Sequence, residues 1–141
     1  MARKTINFYN EIKTRAQLEN IVTASGGGTG SATFGIDFDA AGNNYYCALP
    51  NAANINWVFL NLDTSVIGKS GTIICRNNAS VTSATFQSPA FPSTAFSPGG
   101  AEIAFNNTAD AISVISYLIV LESGAAKVLI NYVGKFQEYA G

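Results

Sequence analysis

From residue 33 onward the sequence is a succession of short alternating or apolar runs, each closed within a few residues by Gly, Asn, Asp or Pro. This punctuation constrains the fold more than any other feature. Strands of four to eight residues fit between such breaks, whereas a core-facing helix needs its three-and-four spacing kept up over several turns. Thr33–Phe38 alternates and runs into the turn residues Asp39–Asn44. Tyr45–Leu49 is stopped by Pro50, and Ile55–Leu62, "INWVFLNL", is apolar on both faces, which predicts a strand central in its sheet. Thr72–Arg76 and Val81–Phe86 flank the turn signal Asn77-Asn78, and Ala101–Phe105, Ile112–Leu121 and Lys127–Phe136 complete the set. In the last, Val128, Ile130, Tyr132, Gly134 and Phe136 fall on one face and Lys127, Asn131 and Lys135 on the other, the pattern of a half-buried strand. About eight short strands with little helix predict an all-β fold, a β-sandwich or a barrel-like domain.

The first residues differ in kind. Residues 1–24 mix charge with apolar side chains, and Leu18, Ile21 and Val22 have helical spacing, which predicts a short helix near 11–22. "SGGGTGS" (Ser25–Ser31) then reads as a flexible hinge. The chain therefore divides into an extended, partly helical N-terminal arm with its hinge over 1–31 and a β-domain over 32–141. A hinge behind a semi-apolar, mildly basic segment suggests an arm that docks away from its own core. The first 20 residues carry Arg3, Lys4, Lys13 and Arg15 against Glu11 and Glu19, a balance of +2, while the remaining 121 balance to −3. That excess is too small to argue for nucleic acid. "MARKTINFYNEIKTR" has no apolar stretch behind its basic residues, so no secretory signal is expected. The apolar run Ser116–Leu121 is far shorter than the roughly 20 residues a spanning helix needs, so no membrane partner is expected either.

With 141 residues there is room for one core. Only 12% of the residues are charged, against about 25% in an ordinary globular protein, while 48% are hydrophobic. A monomer so poor in charge has difficulty covering itself with polar surface. The composition therefore favours association with copies of itself or with a larger surface.

Candidate chemistry is sparse. Gly68-Lys69-Ser70 matches the end of a phosphate-binding loop, but the position five before Gly68 is Asp63, where the motif needs glycine. A β-branched run follows Ser70, where the motif needs a helix N-terminus facing the anion. A polar turn between strands is the better reading. The sequence has no histidine, which removes the commonest general base and metal ligand. Asp37 and Asp39 lie on one face of a strand entering a turn, which suits turn chemistry better than acid–base catalysis. Trp57, Tyr45, Tyr46 and Phe59 suit core packing better than a carbohydrate groove. Cys47 and Cys75, in apolar strand-like settings, are either two buried thiols or a disulfide. These readings give no catalytic residue, no metal site and no cofactor, and the chain is not expected to be an enzyme.

Over about half its length, from Leu60 to Phe136, the sequence resembles a β-rich module of tailed-bacteriophage structural proteins, those of cyanophages in particular. The resemblance is carried by "VIGKSGTIICRNN", "AEIAFNNTADAISVISYLIV" and "KVLINYVGKF". In that module a Gly-x-Ser-Gly hairpin turn opens an Ile-rich strand, and the final strand ends in Lys/Asn-Phe. Related modules carry a "WGSNW…GG" stretch where this chain has "FQSPAFPSTAFSPGG", which keeps Gly99-Gly100 but not the tryptophans. The resemblance, with the short chain, implies a capsid decoration (cement) protein. Such a protein would be a homotrimer on the outer surface of the virion, bound to the major capsid protein and stabilising the head. The capsid-binding arm would then be carried by Arg3, Lys4, Ile6, Phe8, Tyr9, Ile12 and Arg15. The alternative is a phage tail-fibre or receptor-binding module, with Phe91 and Phe96 of the Ser88–Gly100 loop as surface contacts.

Overall fold

The computed structural model describes residues 19–25, 31–50, 54–80, 90–105 and 108–138. Among them are nine strands: β1 (Glu19–Val22), β2 (Ala24–Ser25), β3 (Ser31–Asp37), β4 (Asn44–Ala48), β5 (Asn54–Leu60), β6 (Ser70–Arg76), β7 (Ala95–Phe96), β8 (Ile112–Glu122) and β9 (Ala125–Phe136). The all-β expectation holds. The strands form a six-stranded sheet, β1-β4-β6-β8-β9-β7, and a three-stranded sheet, β2-β3-β5.

Parallel pairing dominates the first half of the chain because successive strands alternate between the two sheets. β3 and β5 pair in parallel in the smaller sheet, with β4 between them in sequence but lying in the larger. β1, β4 and β6 are likewise parallel neighbours in the larger sheet. From β3 to β6 each connection crosses from one sheet to the other, so strands that return to a sheet run in the same direction, whereas β2 and β3 are antiparallel neighbours within the smaller sheet. The second half pairs antiparallel: β6 with β8, and β8 with β9 through a two-residue turn at Ser123 (φ 50°) and Gly124 (φ 78°). Positive φ at both central residues gives the backbone twist that a tight hairpin requires.

The core lies between the sheets. Phe34, Ile36, Ile55 and Trp57 face it from the smaller sheet, and Tyr45, Cys47, Ile73, Cys75, Ile115, Tyr117, Ile119 and Val128 from the larger. Phe38 sits at the crossing, with ring centroids 6.1 Å from Tyr45, 5.3 Å from Phe59 and 5.4 Å from Tyr117. Cys47 and Cys75 stand opposite each other on β4 and β6 as buried free thiols.

Five expectations need correction. Residues 19–22, the end of the expected helix, are a strand: Val22 packs against the core and Ile21 points outward, an alternation that overrides the helical spacing. β1 and β2 thus tie the end of the expected arm into the sheets, while 1–18 and the hinge residues 26–30 lie outside the described residues. Among the described residues β5 is the outer strand of the smaller sheet rather than a central one, with a bridge between Asn56 and Ala90 on its other side. Ala101–Phe105 joins no strand; its side chains anchor it instead, with Phe105 buried and Ile103 half-buried. Gly68–Gly71 is a turn between strands but not a hairpin, since β5 and β6 belong to different sheets. Phe136 does not share the core face of Val128 and Ile130. A register shift opposite Val114 and Ile115 leaves Val133 without an opposite residue, so Gly134 and Phe136 fall on the outer face. The expected strand Val81–Phe86 lies outside the described residues.

Candidate functional site

The lysine of the phosphate-loop lookalike has a structural task. The Lys69 ammonium donates to the carbonyls of Phe38 (2.7 Å) and Ala40 (2.8 Å), and partial burial lowers its pKa against the opposing influence of Asp37 and Asp39. It is one of several side chains that pin the connection from β3 to β4. Tyr45 Oη donates to the Asp37 carbonyl (2.7 Å), Tyr117 Oη to that of Asn43 (2.8 Å), and Asn20 Nδ2 to that of Gly42 (3.1 Å). A turn crossing between sheets has no ladder partner for its carbonyls, and these side chains replace one.

The carboxylates are occupied similarly. Asp37 Oδ1 accepts from the Asp39 backbone N–H (3.0 Å) and from Asn61 Nδ2 (2.7 Å), which fixes the turn. Asp63 Oδ1 accepts from the Ser65 hydroxyl and N–H and caps the short 3-10 turn Thr64–Val66; the hydroxyl bond first, then the N–H bond, holds its carboxyl below the usual range. Among the described residues no three His, Cys, Asp or Glu side chains converge as metal ligands, and no helix is long and apolar enough to cross a membrane.

The two loop aromatics separate. Phe91 turns inward and stacks on Trp57, with centroids 5.7 Å apart and planes at 13°, and it reaches Phe59 and Phe105 as well. Its place is the edge of the core. Phe96 points outward and is 42% exposed, with Lys127 Nζ 5.7 Å from its ring centroid. It borders a groove of about 610 Å³ lined also by Pro98, Leu118 and Leu129. Arg3, Lys4, Ile6, Phe8, Tyr9, Ile12 and Arg15 lie outside the described residues.

That groove is one corner of a larger surface, the outer face of the six-stranded sheet. Register alignment sorts this face into rows running across the strands. One row is apolar: Ile21, Tyr46, Ile74, Val114 and Gly134. The next is polar: Asn44, Thr72, Ser116 and Asn131, with Thr72 Oγ1 donating to Asn44 Oδ1 at 2.8 Å, and Glu19 at its β1 end. A third runs through Ser70, Leu118, Leu129 and Phe96. At one margin Ile112 and Phe136 stand beside Arg76, whose guanidinium pairs with Asp110 at 3.3 Å; at the other Val120 stands beside Lys127. Between those margins Glu19, on the edge strand β1, is the one charged residue of the three rows among the described residues. Ile21, Leu118, Leu129 and Phe136 are all 40% exposed or more.

The sequence reading did not pick out this face. A signal for it was present in "ISVISYLIVL", where Val114, Leu118 and Val120 alternate with the core residues Ile115, Tyr117 and Ile119, so that both faces of β8 are largely apolar. In comparisons with known proteins, no family model, curated protein or solved structure matches this chain.

Proposed function

We propose that this protein is a non-enzymatic structural subunit that acts by surface association, as a homotrimeric decoration protein on the outside of a phage head. The observation that carries the associative part is the outer face of the six-stranded sheet, whose apolar rows flank a polar one with a single charge at its edge, on a domain whose turn-forming polar groups hold its own crossings. Exposed apolar rows of this kind mark a place where another surface sits. The phage part rests on the sequence resemblance from Leu60 to Phe136.

The mechanism is thermodynamic. A subunit that binds only the assembled lattice adds its binding free energy to the stability of the shell. Three arms on one trimer raise one another's effective concentration, so contacts that are weak singly hold together. Residues 1–18 precede β1 at the edge of the larger sheet, a position from which an arm can leave the body. The alternative, a tail-fibre or receptor-binding module, retains only Phe96 as an outward-facing aromatic of its proposed contact pair.

Copy number in purified virions tests the reading. A number comparable to the major capsid protein is expected, and a number far below it would move the protein to the tail or a vertex. Deleting residues 1–18, which spares β1, is expected to abolish capsid binding while far-UV circular dichroism stays that of a β-protein. Undiminished binding would remove the arm assignment.

A further inference from the structure

We infer that the outer face of the six-stranded sheet is the surface through which copies of this chain meet one another. This rests on the self-associating reading above and adds which surface is used.

Size is the first argument. Each row crosses four or five strands, at most about 19 Å at a spacing of about 4.8 Å, and the rows from Ile112 to Leu118 extend about 20 Å along the strands. The product is at most roughly 400 Å² in projection, before side-chain relief is added, which places the face at the low end of specific interfaces, below about 600 Å² from each partner.

Charge identifies the occupant. A nucleic acid or an acidic partner would need cations, and the three rows present none. The chain's own residues 1–18 carry five charges, Arg3, Lys4, Glu11, Lys13 and Arg15, against which the rows offer one carboxylate, Glu19, at the sheet edge. Laying that segment across the face would desolvate most of those charges without compensation. A second copy of the same face brings one charge, Glu19, on the edge strand at the rim of the face. Its polar row is also self-complementary: amide and hydroxyl groups both donate and accept, so Asn44, Thr72, Ser116 and Asn131 can hydrogen-bond to the same groups in another copy. Aliphatic and aromatic rows on either side supply the apolar area. The outer face of the smaller sheet offers far less, since among the described residues its exposed large apolar side chains are Val58 and Leu60, and Leu60 lies against Gly35.

The test is the solution mass of the full-length chain by light scattering. The wild type is expected to run at a multiple of 14.8 kDa, threefold for a trimer. Leu118→Lys with Leu129→Glu places a charge pair on cross-strand neighbours, which the sheet tolerates and an apolar interface does not. The expected result is a fall to the monomer mass with the far-UV spectrum retained, while Val58→Glu on the smaller sheet keeps the oligomer. Phe8→Asp with Ile12→Asp is expected to leave the mass unchanged; dissociation there would assign the surface to the N-terminal segment and overturn the inference. A monomeric wild type overturns it too, including one that floats with phosphatidylcholine vesicles, as does an oligomer that survives the Leu118–Leu129 substitutions. Should that variant fail to fold, hydroxyl-radical footprinting of the wild type decides. Leu118 and Leu129 should become protected relative to Val58 as concentration rises, and equal labelling at all concentrations overturns the inference. An oligomer that dissociates as expected, from a wild type that binds no capsid, leaves this surface assigned and removes only the decoration reading.

Discussion

Gly71 and Gly68 lie three residues apart and have different reasons for being glycine. A Cβ on Gly71 would fall well inside contact with the carbonyl oxygen of Asn43, which is itself held by Tyr117 Oη. Because that oxygen belongs to the pinned β3–β4 connection, it cannot move aside cheaply. Gly71→Ala is therefore expected to cost about 3 kcal/mol in urea denaturation. Gly68 has open space around it but a φ of 87°, so Gly68→Ala is expected to cost only about 1–2 kcal/mol, from backbone conformation alone. Lys69→Met keeps the length of the side chain and removes its two hydrogen bonds, leaving the carbonyls of Phe38 and Ala40 without their donor. About 2 kcal/mol of stability should be lost. No loss in the urea midpoint would show that solvent serves those carbonyls equally well.

Among the elements, the segment after Ala90 shows how a loop can be divided between the core and the surface. Phe91 closes the aromatic cluster of Trp57, Phe59 and Phe105, whereas Phe96 reaches the outer sheet face through the two-residue pairing of β7 with β9. Phe91→Ala is expected to destabilise the fold by about 3 kcal/mol and to shift Trp57 emission, the protein's single tryptophan, as the stacked ring is lost. Phe96→Ala should cost less than about 1 kcal/mol in the monomer, because a ring so exposed gives up little burial. Equal losses for the two would contradict their placement on opposite sides of the sheet. The bulge in β9 belongs to the same scale. One extra residue, Val133, exchanges the faces of everything after it, and strict alternation in sequence carries no mark of where such an insertion falls.

For the whole molecule, two buried tyrosines contribute to the loss of stability at high pH. Burial pushes the Tyr45 hydroxyl up to about 12 from 10.0, and it raises Tyr117 as well. The raised folded-state value fixes the sign. Below about pH 10 both states hold these protons and the two tyrosines leave stability unchanged; above it the unfolded chain ionises first and their contribution is lost as pH rises towards 12. Tyrosinate absorbance on alkaline titration should therefore show two of the six tyrosines resisting ionisation until the fold is lost. Smooth titration of all six with the circular dichroism spectrum intact would contradict their burial. The outer sheet face, if covered by other copies, adds a concentration dependence to every such midpoint.

The sequence alone determined the class of fold. Strand-length runs broken by turn residues left no room for a packed helix. Turn chemistry was legible as well: Asp63 out of register for a phosphate loop and Asp37 at a strand end both became turn-fixing groups. Tertiary structure decided the rest, because pairing is non-local. Whether β5 is central or at an edge depends on which strands return to its sheet. Whether residues 19–22 form helix or strand depends on the partner that β4 offers them. Phe91 and Phe96 look equivalent in sequence and are separated only by the sheet between them. The outer face was spread over six segments between Glu19 and Phe136, and only the register of the ladders collected it into one surface.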